Sequence, residues 1–160
     1  MEFVMRVFQK IFIAVIVSVV SIASVHAIDW KPNFDAETVA EEKVAAIKAA
    51  LPNQPIVAPK AKRKVLVYSA SAGFRHGSIP VGKVALEQLG LASGAYTPVI
   101  SDDPDNFTAD ALKQFASVII LNSTGDIFMP ISWKKKSQRK QFTDEQWQAL
   151  KQRHVSLVDN

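Results

Sequence analysis

Two short segments decide most of what this chain can become. "KVLVYSA" (residues 64–70) and "SVIIL" (residues 117–121) are almost continuously apolar and rich in β-branched side chains. A strand with one wet face alternates apolar and polar residues. A run that is apolar at nearly every position is expected where both faces of a sheet are covered, as in parallel sheets flanked by helices. A third, shorter run, "YTPVISDDP" (residues 96–104), reads as a strand ending in acids.

The segments between these runs carry helical patterns. Pro80 stands where a first helical turn tolerates proline, and Val81, Val84, Ala85 and Leu89 make one apolar stripe, with Gly90 and Gly94 bracketing its end. Thr108 is placed to cap a short helix, "TADALKQF". "FTDEQWQALKQ" (residues 142–152) carries a capping box, Thr143 with Gln146, and a hydrophobic staple, Phe142 with Trp147. The order strand, helix, strand, helix, strand, helix implies right-handed crossovers and a parallel sheet. The expected architecture is a flavodoxin-like three-layer α/β fold with strand order 2-1-3. "HVSLV" (residues 154–158) is read as a rudimentary further strand.

The N-terminal part is different. Arg6 and Lys10 precede the apolar run of residues 11–22, and Val25 and Ala27 stand where a signal peptidase reads small residues. Residues 1–27 therefore read as a secretory signal, and the protein as exported, periplasmic or secreted, touching a membrane only during export. Residues 28–63 are expected to form an appendage: a helix over residues 35–51, then a linker, "PNQPIVAPKAKRK", rich in proline and bases. The main domain occupies residues 64–160.

Composition narrows the chemistry. There is no cysteine, which excludes disulfides, thiolate nucleophiles and cysteine–zinc sites. The formal net charge is +4. The basic stretch "WKKKSQRK" (residues 133–140) reads as a solvated loop before a helix, and no nucleic-acid partner is expected. Dinucleotide, nucleotide-phosphate, zinc-protease and serine-hydrolase signatures do not occur, and no motif names a cofactor. The histidines His26, His76 and His154 are scattered, so no metal cluster is legible.

What remains is the set of loops after the strands. In an open parallel sheet, ligands bind beyond the carboxyl ends of the strands, where the winding direction reverses. The first loop, "ASAGFRHGSIP" (residues 70–80), holds Arg75, His76 and Ser78. His76 is suited to proton exchange or to holding a hydroxyl. Ser78 can bind a ligand or cap the following helix, and Arg75 can contact an acidic group or pair with an acid of the second loop. In that second loop, Asp102 and Asp103 are expected to point to opposite sides and lead into a turn before Pro104. The third loop, "NSTGDIF" (residues 122–128), offers Thr124, Gly125 and Asp126, with Gly125 suited to a positive φ.

Four segments in this order, "KVLVYSASAGFRHGSIPVGKVALEQLG", "DDPDNFT", "SVIILNSTGDIF" and "FTDEQWQAL", resemble the ThuA-like family, named for trehalose utilisation. The resemblance covers roughly residues 64–151. It implies a class I glutamine amidotransferase-like fold and a link to carbohydrate metabolism. His76 and Ser78 match the family's first-loop motif, and Thr124, Gly125 and Asp126 its third-loop motif. Together they imply catalysis by His76 and binding of a small carbohydrate by Arg75, Ser78, Thr124, Gly125 and Asp126. A non-catalytic sugar-binding module is the alternative. Family members continue past this point with a glycine-rich turn and further strands, so the resemblance also implies a sheet incomplete at its C-terminal side. Such a chain would be a shortened, inactive product, or would dimerise through its exposed sheet edge.

Overall fold

A computed structural model describes residues 37–52, 54–129 and 139–159. The proposed signal (residues 1–27) and most of the basic stretch lie outside the described residues. The elements run α1 (Glu41–Ala50), β1 (Lys64–Tyr68), α2 (Ile79–Ser93), β2 (Thr97–Ile100), a 3-10 turn (Pro104–Phe107), α3 (Ala109–Leu112), β3 (Ser117–Ile120) and α4 (Asp144–Val158).

All three strands are parallel, in the order β2-β1-β3. Val65 aligns with Pro98 on one side and Ser117 on the other, and Val67 with Ile100 and Ile119. The central strand is therefore the continuously apolar one, and Val65 to Tyr68 are all buried. Leu66, Tyr68 and Ala70 point to one face, where they meet Phe107, Leu157, Leu112, Phe115 and Phe128. Phe107 meets the rings of Tyr68 and Phe128 edge-on, at 4.8 and 4.9 Å between centroids. α3 and the end of α4 thus cover this face. The winding reverses between the first and second crossovers, which puts α2 on the other face. α1 packs outside α2.

The helix signals act as the residues suggest. Thr143 accepts from the Gln146 N–H while the Gln146 side chain accepts from the Thr143 N–H, closing the capping box. Phe142 and Trp147 pack 6.1 Å apart. Gly94 adopts φ 65° and terminates α2. Gly90 does not end the helix; it is buried within it because the Tyr96 ring lies where a Cβ would sit, 2.6 Å away. Thr108 caps α3 by accepting from the Ala111 N–H.

Two expectations are corrected. Among the described residues the first helix begins at Glu41, not in the mid-thirties; residues 37–40 are not helical, and Glu41 and Glu42 supply the first-turn charges. Residues 154–158 are not a strand. They are the last turns of α4, since Leu150 and Leu157 recur at helical spacing and both bury. Leu150 packs with Met129, Phe142 and Trp147, so the staple anchors the helix to the third loop rather than to a sheet face.

Leu66 is fully buried at the centre of the sheet. Leu66→Ala is expected to lower the unfolding free energy by about 3 kcal/mol, read from urea denaturation with an unchanged m-value.

Candidate functional site

The strand order places the winding reversal between β1 and β3, where the first and third loops leave the sheet and where open sheets of this kind bind ligands. Those loops are stitched to each other. The Thr124 carbonyl accepts from the N–H groups of Ala72 and Gly73 at 3.0 and 3.1 Å. The Thr124 N–H donates to Ser71 Oγ, and its hydroxyl donates to the Phe74 carbonyl at 2.6 Å. The approach is close enough to require glycine: a Cβ on Gly73 would lie 2.8 Å from Thr124 Oγ1. Gly125 adopts φ 76°, as its place in the loop suggested, and Asn122 adopts φ 53° without being glycine. Asparagine tolerates that left-handed conformation better than most residues.

The stitched loops present a small polar cluster beside an aromatic ring. His76 Nδ1 accepts from the Ser78 N–H at 3.1 Å and lies 2.7 Å from Ser78 Oγ. A ring nitrogen accepting from a backbone N–H carries no proton of its own, so the neutral imidazole holds its proton on Nε2. Asn122 Nδ2 donates to Ser78 Oγ at 3.4 Å. Phe74 stands beside His76, edge to face, with 72% of its surface exposed. Phe74 was missed by sequence reasoning, its signal being a phenylalanine in a glycine-flanked loop; Asn122 was read as part of the third loop, in an N-x-T-G-D segment, but not as a site residue.

Ser78 sits at the N-cap position of α2, but its hydroxyl makes no capping bond; it serves His76 and Asn122 instead. Thr124 and Gly125 stay against Gly73 and Phe74 of the first loop, while Asp126 and Arg75 are drawn to other partners. Asp126 does not point into the crevice. Its Oδ1 accepts from the N–H groups of Phe128 and Met129, and its Oδ2 lies 2.6 Å from His154 Nε2 on α4. Arg75 turns inward. Its Nη1 donates to the Ser69 carbonyl at 2.7 Å, and Nε and Nη2 grip both oxygens of Glu37 at 2.7 and 2.6 Å.

Arg75 also lies 3.6 Å from Asp102, the acid of the second loop. Asp102 is buried under the end of β1. Its Oδ1 accepts from the Ser69 N–H and hydroxyl at 2.9 and 2.7 Å, and its Oδ2 meets Lys83 of α2 at 2.6 Å. Asp103 points elsewhere and caps the 3-10 turn through the Asp105 N–H, as adjacent residues leaving a strand should. Tyr68 beneath the site is buried and donates to the Ile127 carbonyl; burial, reinforced by Asp102, pushes its phenol well above the ordinary range. Among the described residues no group of three or more His, Asp or Glu is placed to hold a metal ion. No described helix is long and apolar enough to cross a membrane.

A parallel sheet in the order 2-1-3, covered by helices and open at its carboxyl ends, defines a flavodoxin-like α/β domain. Residues 64–153, more than half of the chain, match the ThuA family, described as trehalose utilisation, and the chain belongs to that family. No curated protein and no solved structure gives a significant match.

Two outcomes follow from this geometry. Asp102→Ala removes the one acceptor shared by Ser69 and Lys83, and is expected to cost about 3 kcal/mol in urea denaturation, far more than Asp110→Ala on the surface. The hydrogen bonds from Arg75 hold the Glu37 carboxyl below its ordinary 4.5. A carboxyl lowered on folding strengthens its contact above the ordinary value and loses it as pH falls through the lowered one. A spin label on Ala46→Cys, in a chain without cysteine, should therefore report a fixed α1 at pH 6 and a mobile one once the pH has fallen well below 4.5.

Proposed function

We propose that this domain binds a small carbohydrate in the crevice between the first and third loops, as part of trehalose or related sugar utilisation. The observation that carries the reading is the exposed Phe74 ring set against the His76–Ser78–Asn122 cluster. A sugar ring has an apolar face and a rim of hydroxyls. An open aromatic face with donors and acceptors at its edge is complementary to both. Membership of a family described as trehalose utilisation supports the same substrate class.

In this reading the His76 Nε2–H donates to a sugar hydroxyl, with Ser78 and Asn122 holding the imidazole and its surroundings in register. The Thr124 hydroxyl keeps a lone pair to accept with, while its proton stays on Phe74. Gly125 allows the backbone to come close. Asp126 and Arg75 support the loops from inside. Export follows from residues 1–27 and is part of the proposal, tested by N-terminal sequencing of the protein recovered outside the cytoplasm.

The binding reading is preferred to a catalytic one because no carboxylate among the described residues contacts the His76 ring. A proton-transfer role for His76 stays as the second reading, favoured by its open Nε2 edge. Calorimetric titration with trehalose and with glucose separates the two. Phe74→Ala is expected to weaken binding about tenfold, from the loss of stacking and buried area. If His76→Ala abolishes turnover of the sugar while binding persists, the catalytic reading replaces the binding one. Unchanged affinity in Phe74→Ala would remove the crevice as the sugar site.

A further inference from the structure

A cleft of about 420 Å³ lies where the linker, the end of α2 and the start of β2 meet. This is the opposite end of the sheet from the proposed sugar site. β1 has five residues at about 3.3 Å each, so about 16 Å of strand separates the two ends. None of the residues lining the cleft belongs to the first or third loop.

Its charge is uncompensated. Lys60, Lys62, Arg63 and Lys64 are four bases in five residues, and all four are exposed. Lys62 and Arg63 line the cleft itself. Among the described residues none of the four has an ion-pair or side-chain hydrogen-bond partner. Two negative features stand near. The C-terminal end of α2, at Gly90 to Gly94, carries about half a negative charge. Glu87 lies one turn back on the same helix and pairs with none of the four. One carboxylate and half a charge do not balance four bases, so the end of α2 does not by itself account for them.

The other walls offer surface rather than hydrogen bonds. Leu91, 62% exposed, and Pro59 supply apolar contact area. The Tyr96 ring lies against Gly90, and its hydroxyl is engaged, donating to the Leu86 carbonyl at 2.5 Å. At Gly94 the space a side chain would take is open, with no atom within 4 Å. Thr97 is the one lining residue that brings an unengaged hydroxyl. A sugar needs a donor or acceptor for most of its hydroxyls, and this cleft lacks them.

We propose that this cleft is a second binding site, and that it takes a phosphate monoester with a compact apolar body. A phosphate monoester carries up to two negative charges near neutral pH, which Lys62 and Arg63 match. Arg63 brings the planar fork that fits two phosphate oxygens, and Lys62 a point charge. The apolar body lies on Leu91, Pro59 and the Tyr96 ring. A carboxylate head would leave one of the two lining cations unmatched. Lys62 and Arg63 belong to the linker and Leu91 to α2, so the ligand fastens the linker to the domain. The site stands or falls apart from the sugar reading.

The experiment titrates the nitrogen-15-labelled full chain with phenyl phosphate, inorganic phosphate and glucose 6-phosphate. The amide signals of Gly90, Gly94 and Thr97 mark the cleft, and those of Gly73 and Gly125 mark the loops at the other end. Phenyl phosphate is expected to move the first three saturably and to leave the last two in place. Inorganic phosphate and glucose 6-phosphate should bind about tenfold more weakly, because neither brings an apolar body. Lys62→Gln together with Arg63→Gln should weaken phenyl phosphate by roughly tenfold or more. Leu91→Glu should do the same, by setting a carboxylate beside the head. All three side chains are exposed, so the fold is kept, and an unchanged Tm checks it.

The absence of a saturable shift at the three cleft amides overturns the proposal. So does equal affinity for phenyl phosphate and inorganic phosphate, which would mean only that anions gather on a basic linker. Phenyl phosphate binding that survives both variants overturns it as well. Phosphatidylglycerol vesicles serve as the last arm. If they bind through the four bases while phenyl phosphate moves nothing, the linker is a membrane-facing surface and the cleft is not a site.

Discussion

Asp102 is the single charged side chain buried among the described residues, and much of the domain is arranged around it. A carboxylate removed from water must find its hydrogen bonds inside the protein. It finds them on three elements: the backbone and hydroxyl of Ser69 at the end of β1, and the ammonium of Lys83 on α2, with Arg75 of the first loop close behind. The consequence is geometric. The carboxyl ends of β1 and β2 are locked together, the start of α2 is fixed over them, and Arg75 is pinned in one orientation. The first loop then leaves the sheet along a defined path, which sets His76 and Ser78 at the crevice and not elsewhere.

The third loop is fixed by a second set of constraints that depends on the first. Thr124 can stitch to Ala72, Gly73 and Phe74 only because the first loop is held in place. Beyond that stitch, Asp126 ties the loop to α4 through His154, and the Phe142–Trp147 staple with Leu150 and Met129 buries the other side of the same junction. α4 therefore does two jobs. Leu157 completes the aromatic core under β1, and His154 and Arg153 bridge to the acids of the third and second loops. The two loops are tied together at their base, while Phe74, His76 and Asn122 meet solvent. That distribution suits a site which must present a fixed pattern to a ligand while leaving room for it.

Much of this was legible in advance. The continuous apolar runs marked the strands, and the strand–helix alternation forced a parallel sheet with its reversal between β1 and β3. Pro80, Gly94, Thr108 and the Thr143–Gln146 box marked helix ends correctly, because capping is a local matter of a few backbone groups. His76 and Ser78 were readable as a pair for the same reason: they are two residues apart and bond each other. What the sequence did not show has a different cause. Arg75 does lie beside Asp102, the acid of the second loop offered as its partner, but its grip on Glu37 and that of Asp126 on His154 were not legible, because charged residues in polar loops show their chemistry without showing distant partners. Glu37 lies 38 positions from Arg75, and His154 lies far along the chain from Asp126. The last turns of α4 looked strand-like because "HVSLV" is short and holds β-branched valines, but they continue the helix begun at the Thr143 cap, with Leu157 in the core cluster of Phe107 and Tyr68.

The sequence by itself determined the class of fold, the order of the strands, the cap and turn positions and the family, because these follow from periodicity, local backbone chemistry and motif order. The tertiary structure alone decided which polar side chains face the crevice and which are consumed beneath it. A buried or half-buried charge goes wherever an opposite charge can neutralise it at short range, and that partner is chosen by how the chain folds back on itself, not by what stands next to it in the chain. So Arg75 and Asp126 went inward, toward Glu37, Asp102 and His154, while Phe74 and Asn122 came to stand beside His76.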